Sequence, residues 1–194
     1  LNVTDVDTVI GLGGGTQTIT VIDSSNTTIT TGLGNDTIAG GGGADVINAG
    51  GGDNVVNGSA GNDTISGEQN PDRIEHSPEY FTSLDYQNQT SGITVTLNDT
   101  STAVGSTIGT DTLIAIDEVI GSQAADLLVA GIEYSGTNNT FDGDFGSGIE
   151  ITGAQGNDII IGNSHTIIGY DDGNATAAVI NLANYDVTTG QTGT

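Results

Sequence analysis

Five branched aliphatic residues recur every nine positions along the middle of the chain: Ile38, Ile47, Val56, Ile65 and Ile74. Two places before each stands Asp36, Asp45, Asn54, Asp63 or Asp72, and two places before that Gly34, Gly43, Gly52, Gly61 or, out of pattern, Asn70. The residues between, Thr37, Val46, Val55, Thr64 and Arg73, take the opposite face of a short alternating strand. Each unit over 31–75 therefore predicts a strand of about three residues and a glycine-rich turn of about six. The aliphatic column is the predicted core ladder, each buried Ile or Val contributing roughly 1.5–3 kcal/mol. No single turn can fold alone, because its strand buries its side chain only against its neighbours.

Away from this array the rhythm loosens. Ile10, Ile19 and Ile29 continue it upstream, with Gly13–Gly15 as a turn, but Gln17 and Thr27 occupy the acid position. Residues 1–30 are thus expected to stack without metal, their outward Thr18, Thr20, Thr28 and Thr30 serving as ordinary strand formers. The stretch 69–89 breaks the period with Pro71, Pro78, Tyr80, Phe81 and Tyr86, and reads as a cap or interruption. Alternating Ile93, Val95 and Leu97 predict a half-buried strand, and Leu113, Ile116, Val119 and Ile120 a further strand pair. From about 121 to 172 a second, degenerate array follows, with Asp126 before Leu128, Asp158 before Ile160 and a full unit at Gly153–Ile161. Val179, Ile180 and Leu182 suggest one last strand. The expected organisation is a first array over 1–75, an irregular β insertion over 76–120 and a second array with a tail over 121–194.

Charge turns this pattern into chemistry. The formal charge is −24, from 25 acids against one Arg and no Lys. That excludes a nucleic-acid binder and argues against docking on anionic lipid. Glycine is abundant, at 32 residues, but lacks the three-residue period of collagen. Cysteine is absent, which removes disulfides and thiolate metal sites. No apolar run predicts a membrane span, and the start lacks the pattern of a signal peptide. The chain begins at Leu1, so it is expected to be a piece of a larger protein. Stacked like charges repel unless neutralised, and the sequence holds almost nothing to neutralise them. Oxygen ligands in flexible glycine loops suit Ca²⁺ better than Mg²⁺, which demands a tighter octahedron. The expectation is disorder without metal and stacking with it.

The unit G-G-x-G-x-D-x-aliphatic-x resembles the calcium-binding nonapeptide of the RTX (repeats-in-toxin) family, and DTLIAIDEVIGSQAADLL at 111–128 is similar to segments that lead into such arrays. The resemblance implies an all-β, right-handed parallel β-roll in which same-side turns are 18 residues apart and several Ca²⁺ ions sit between them. Carboxylates of Asp36, Asp45, Asp63, Asp72, Asp126 and Asp158 would supply ligands. Backbone carbonyls would come from the turns of Gly32, Gly34, Gly41, Gly43, Gly50, Gly52, Gly61 and Gly156. Asn54 lowers the charge of its site, with Asp53 adjacent as compensation, and the best sites are expected around Asp45 with Asp63 and around Asp36. Asp142, Asp144, Asp171 and Asp172 read equally well as solvated turns.

No enzyme is expected in the segment itself. His76 and His165 are the only histidines and stand in no zinc-protease motif; repeated Asp pairs are better explained by a calcium ladder than by a glycosidase dyad. What the resemblance implies is a structural calcium-binding module of a large secreted or cell-surface bacterial protein, of adhesin or surface-layer type. Its partners would be calcium, the rest of the parent chain and, for an adhesin, a ligand at a surface or cell envelope. The alternative is the calcium-dependent C-terminal folding module of a type I-secreted hydrolase or toxin.

Overall fold

The computed structural model describes residues 1–11, 13–68, 80–97, 101–130, 150–162, 167–169 and 179–182. The strands in chain order are β1 (Asn2–Val3), β2 (Thr8–Ile10), β3 (Thr18–Val21), β4 (Thr28–Thr30), β5 (Thr37–Ala39), β6 (Val46–Asn48), β7 (Gly52–Asn57), β8 (Thr64–Ser66) and β9 (Tyr80–Asp85), then β10 (Ile93–Leu97), β11 (Thr102–Gly105), β12 (Gly109–Ile114), β13 (Glu118–Ile120), β14 (Leu127–Ala130), β15 (Glu150–Thr152), β16 (Ile159–Gly162), β17 (Ile167–Gly169) and β18 (Val179–Leu182).

Successive strands fall alternately into two sheets. The first runs β1-β3-β5-β7-β9-β13-β15-β17, and the second β18-β16-β14-β10-β11-β12-β8-β6-β4-β2. Pairing is parallel except where β11 lies antiparallel between β10 and β12. The fold is thus an all-β stack of two parallel sheets, a β-roll, with a small antiparallel insertion in the second sheet. β12 lies against β8 and β10 against β14, so the insertion adds two strands to one sheet while the other passes it by.

The period of nine becomes a same-sheet spacing of 18, as in Ile38 opposite Val56 and Ile47 opposite Ile65. One aliphatic column runs Ile19, Ile38, Val56, Leu84, Val119 and Ile151. The other runs Val9, Ile29, Ile47, Ile65 and Leu113, and resumes past the insertion as Val95, Leu128 and Ile160. All of these side chains are buried in the core, while Thr37 and Val46 face outward and Val55 and Thr64 are half-buried.

Two details depart from the expected register. Val9, not Ile10, pairs with Ile29 and is buried, leaving Ile10 exposed; alternation along β2 allows only one of two adjacent aliphatics to face inward. Beside Val56 the structure places Leu84, so β9 takes the position expected for the unit of Asp72 and Ile74. Asp72 and Ile74, with His76, His165, Asp142, Asp144, Asp171 and Asp172, fall outside the described residues.

Candidate metal centre

The turns stack closely enough that glycine is required at several places. A side chain at Gly61 would come within 1.9 Å of the Gly43 carbonyl oxygen, and Gly61 has φ of +138°, which disfavours any other residue. Coils this close bring their acid positions into register. Asp36, Asp45, Asn54, Asp63, Asp126 and Asp158 all point inward and are at most 3% exposed. They form two ladders, one beside each sheet.

In each ladder one side-chain oxygen accepts the backbone N–H of the equivalent residue in the preceding coil. Beside the first sheet, Gln17 donates to Asp36 Oδ1 at 2.8 Å and Asp36 to Asn54 Oδ1 at 2.9 Å. Thr82 donates to Asp117 Oδ2 at 2.8 Å. Beside the second sheet, Thr27 donates to Asp45 at 2.8 Å, Asp45 to Asp63 at 2.9 Å and Asp63 to Asp111 at 3.0 Å, each bond ending on Oδ1. Past the insertion, Ile93 donates to Asp126 Oδ1 at 2.8 Å and Asp126 to Asp158 Oδ1 at 2.9 Å. The acid position thus has a structural duty: it ties each coil to the next with a charge-assisted hydrogen bond.

The second carboxylate oxygen separates the coils into kinds. Oδ2 of Asp36 and of Asp45 is buried and has no hydrogen-bond partner. A buried, unpaired anionic oxygen is costly. That of Asp45 is turned toward Gly40, where an added Cβ would meet it at 2.5 Å, and Gly153 cradles Asp158 Oδ2 at the same 2.5 Å. An orphaned anionic oxygen beside a glycine turn rich in backbone carbonyls fits a hard cation with oxygen ligands. Among the described residues no three His, Cys, Asp or Glu side chains converge on one point. A cation here would therefore draw on one or two carboxylates and on the carbonyls of turns such as Gly32–Gly34 and Gly41–Gly43.

Other coils satisfy that second position internally. Asn54 places an amide there, donating from Nδ2 to the Gly50 carbonyl at 3.1 Å. Asp53 is exposed, and its backbone N–H donates to Asn35 Oδ1 at 3.0 Å. Asp63 Oδ2 accepts a long bond, 3.3 Å, from Ser59 Oγ. Asp126 accepts from the Ser122 amide on Oδ2 and from the Ser122 hydroxyl on Oδ1, both at 2.6 Å. Asp111 Oδ2 accepts the hydroxyl of the fully buried Tyr86 at 2.9 Å.

Burial sets the acidity of these groups. It pushes the Asp45 carboxyl up to about 6, the Thr27 amide opposing and the charges of Asp63 and Asp23 adding to it. Asp111 is pushed up to about 7 and Asp158 to about 6, again chiefly by desolvation. Asp63 and Asp126 rise for the same reason. Tyr86 is held well above the ordinary tyrosine value by burial and by the adjacent Asp111 charge. Each shift means that the fold, as it stands, resists ionising its own ladder.

Asp111 and Asp117 were absent from the expected ligand set, although Asp111-Thr112-Leu113 and Asp117-Glu118-Val119 repeat the acid-x-aliphatic offset. Gly109 even stands at the repeat's glycine position before Asp111, a signal that could have found it, whereas Ala115 stands there before Asp117, which reads as a plain strand residue. Tyr86 and Ser122 carried no periodic signal at all.

The family model for the RTX calcium-binding nonapeptide repeat (4 copies) matches residues 23–56, 40–74 and 150–165. A search of curated proteins finds no match. The matched segments contain Asp36, Asp45, Asp63 and Asp158, and hence both orphaned oxygens. The segments 23–74 and 150–165 accordingly carry RTX calcium-binding nonapeptide repeats, a family whose repeats bind Ca²⁺, are non-catalytic in themselves and occur in proteins that bacteria generally secrete.

Proposed function

We propose that this chain is a structural module of a larger secreted or cell-surface bacterial protein, of adhesin or surface-layer type, which completes its fold on meeting calcium outside the cell. Asp36 and Asp45 are its principal metal-binding carboxylates, with Asp158 in the downstream repeat, and the glycine turns beside them lend carbonyl oxygens. The observation that carries this reading is the pair of buried, unpartnered carboxylate oxygens inside matched repeats. A net charge of −24 supports it, since a single Arg against 25 acids cannot quench the ladder.

This chain's residues do three things for the ion. Their carboxylates present charge, their stacked turns present carbonyls, and their amide-to-carboxylate bonds hold successive coils in register. Calcium, when bound, supplies the positive charge that makes an ionised ladder compatible with burial. Binding then contributes to folding free energy, as it does in other metal-dependent modules. Far-UV circular dichroism in chelator and then in millimolar calcium tests this. The expected result is a marked gain of β signal and of thermal stability on adding calcium. A complete β spectrum in chelator, with a melting temperature that calcium does not move, would overturn it.

A further inference from the structure

Coils of one fold, with one acid position, treat their second carboxylate oxygen in different ways, according to whether an internal N–H or O–H reaches it. Four places before the acid, Gly32 and Gly41 stand in the coils of Asp36 and Asp45, whose Oδ2 atoms are orphaned. The equivalent residue in the coil of Asp126 is Ser122, fully buried, which donates both its amide and its hydroxyl to that carboxylate at 2.6 Å. Ser59 holds the same place before Asp63, and there it is the hydroxyl that donates to Oδ2, at 3.3 Å, where Ser122 uses its amide. At Asp158 the residue is Ala154, which has no hydroxyl to give. The cradle is otherwise shared: a Cβ on Gly121 would lie 2.4 Å from Asp126 Oδ2, as one on Gly40 would lie 2.5 Å from Asp45 Oδ2.

Asp111 reaches the same end by another route. Tyr86 sits over Gly58, where a Cβ would strike its ring at 1.9 Å, and its hydroxyl caps Asp111 Oδ2. Asn54 shows the principle in its simplest form: an amide N–H fills the gap and bonds the Gly50 carbonyl, a neutral donor where the Asp coils offer an empty anionic oxygen.

From this we infer that Ser122 and Tyr86 select against calcium: they close the Asp126 and Asp111 positions with internal donors, so that cations load at Asp36 and Asp45 and not at Asp111 or Asp126. The inference rests on the calcium reading above. A cation entering the Asp126 position would have to displace two short hydrogen bonds from one buried serine, whereas at Asp45 it meets an oxygen with no partner. The region from β9 to β14 is then a metal-independent part of the stack, on which the cation-loaded coils build. Ser59, at its longer distance, is a partial form of the same device.

The experiment uses the full chain with calcium alone as the probe, counting bound ions by equilibrium dialysis and calorimetric titration. Asp36→Asn and Asp45→Asn should each lower the ion count by one. Asp126→Asn should leave it unchanged, and Tyr86→Phe, which deletes the donor on Asp111 Oδ2, should raise it by one once its fold is checked by circular dichroism in calcium. Should a variant fail to fold, the unsubstituted chain still decides: backbone amide resonances of residues 32–45 should move during the titration, and those of 122–126 should not. Asp126→Asn lowering the count as Asp45→Asn does, or amides 122–126 moving with those of 32–45, would overturn the inference and leave the calcium reading intact. A chain that binds no calcium at all would overturn that reading itself, and the inference with it.

Discussion

The coils of Asp36 and Asp45 and the coils between β9 and β14 share a fold, a ladder and a core, yet they are opposites in polar accounting. In the first region Oδ2 of each buried carboxylate has no partner. In the second, Tyr86 and Ser122 meet the acid with a hydroxyl or an amide. In both, one carboxylate oxygen serves the backbone of the preceding coil; on the inference above, only a vacant second oxygen calls for a cation.

The largest expected effect would break the comparison at its centre. Tyr86→Ala removes a fully buried ring and strips the cap from Asp111, so stability should fall by about 3–5 kcal/mol, in chelator and in calcium alike. Denaturant unfolding under both conditions measures it, and a loss seen only with calcium would merge the two regions. Ile47 is fully buried, and on the calcium reading Ile47→Ala should cost about 2–5 kcal/mol chiefly when calcium is present. A smaller change sharpens the contrast: Tyr86→Phe keeps the ring and deletes only the donor, at a cost of about 1–3 kcal/mol from the unsatisfied Asp111 oxygen.

Acidity gives a fourth comparison. The folded values of Asp45 and Asp158, about 6, and of Asp111, about 7, lie above the ordinary 3.8. These groups bind protons more tightly when folded, so they favour the fold at low pH, and that contribution is lost as pH rises through 6 to 7. Without calcium, thermal stability should therefore increase on acidification from pH 7.5 toward 4.5. With calcium the trend should weaken or reverse, since protons and cations compete for Asp45. A calcium-free melting temperature that falls over that range would contradict the burial of the ladder. The smallest change is Thr37→Ser on the outward face, expected to stay within about 0.5 kcal/mol either way.

Much of this was legible in the sequence because a short period constrains everything at once. Ile38, Ile47, Val56 and Ile65 fixed the strands and the inward face; the 18-residue same-sheet spacing came with the family resemblance, and the pairing of β5 with β7 and β6 with β8 bears it out. Alternation alone could not choose between Val9 and Ile10, two adjacent aliphatics on one three-residue strand. The replacement of the Ile74 unit by β9 was hidden because Tyr80–Asp85 joins the first sheet across the 22 residues that follow β7 and not through the nonapeptide period. Tyr86 reaches Asp111 from 25 positions away. Contacts of that kind depend on which strands the insertion brings together, and a local pattern contains no record of them.

The antiparallel insertion has a consequence for alignment. In a stack of near-identical coils, shifting one stretch by 18 residues restores almost the same aliphatic column and the same amide-to-carboxylate bonds, so many misaligned states lie close in energy to the correct one. The hairpin of β10 to β12, with Tyr86 locked over Gly58 and onto Asp111, can be made in one alignment only. It acts as an index mark on an otherwise repetitive scale: coils that zip up from it count from a unique origin, and a chain threaded one coil out of step would leave the tyrosine without its acid.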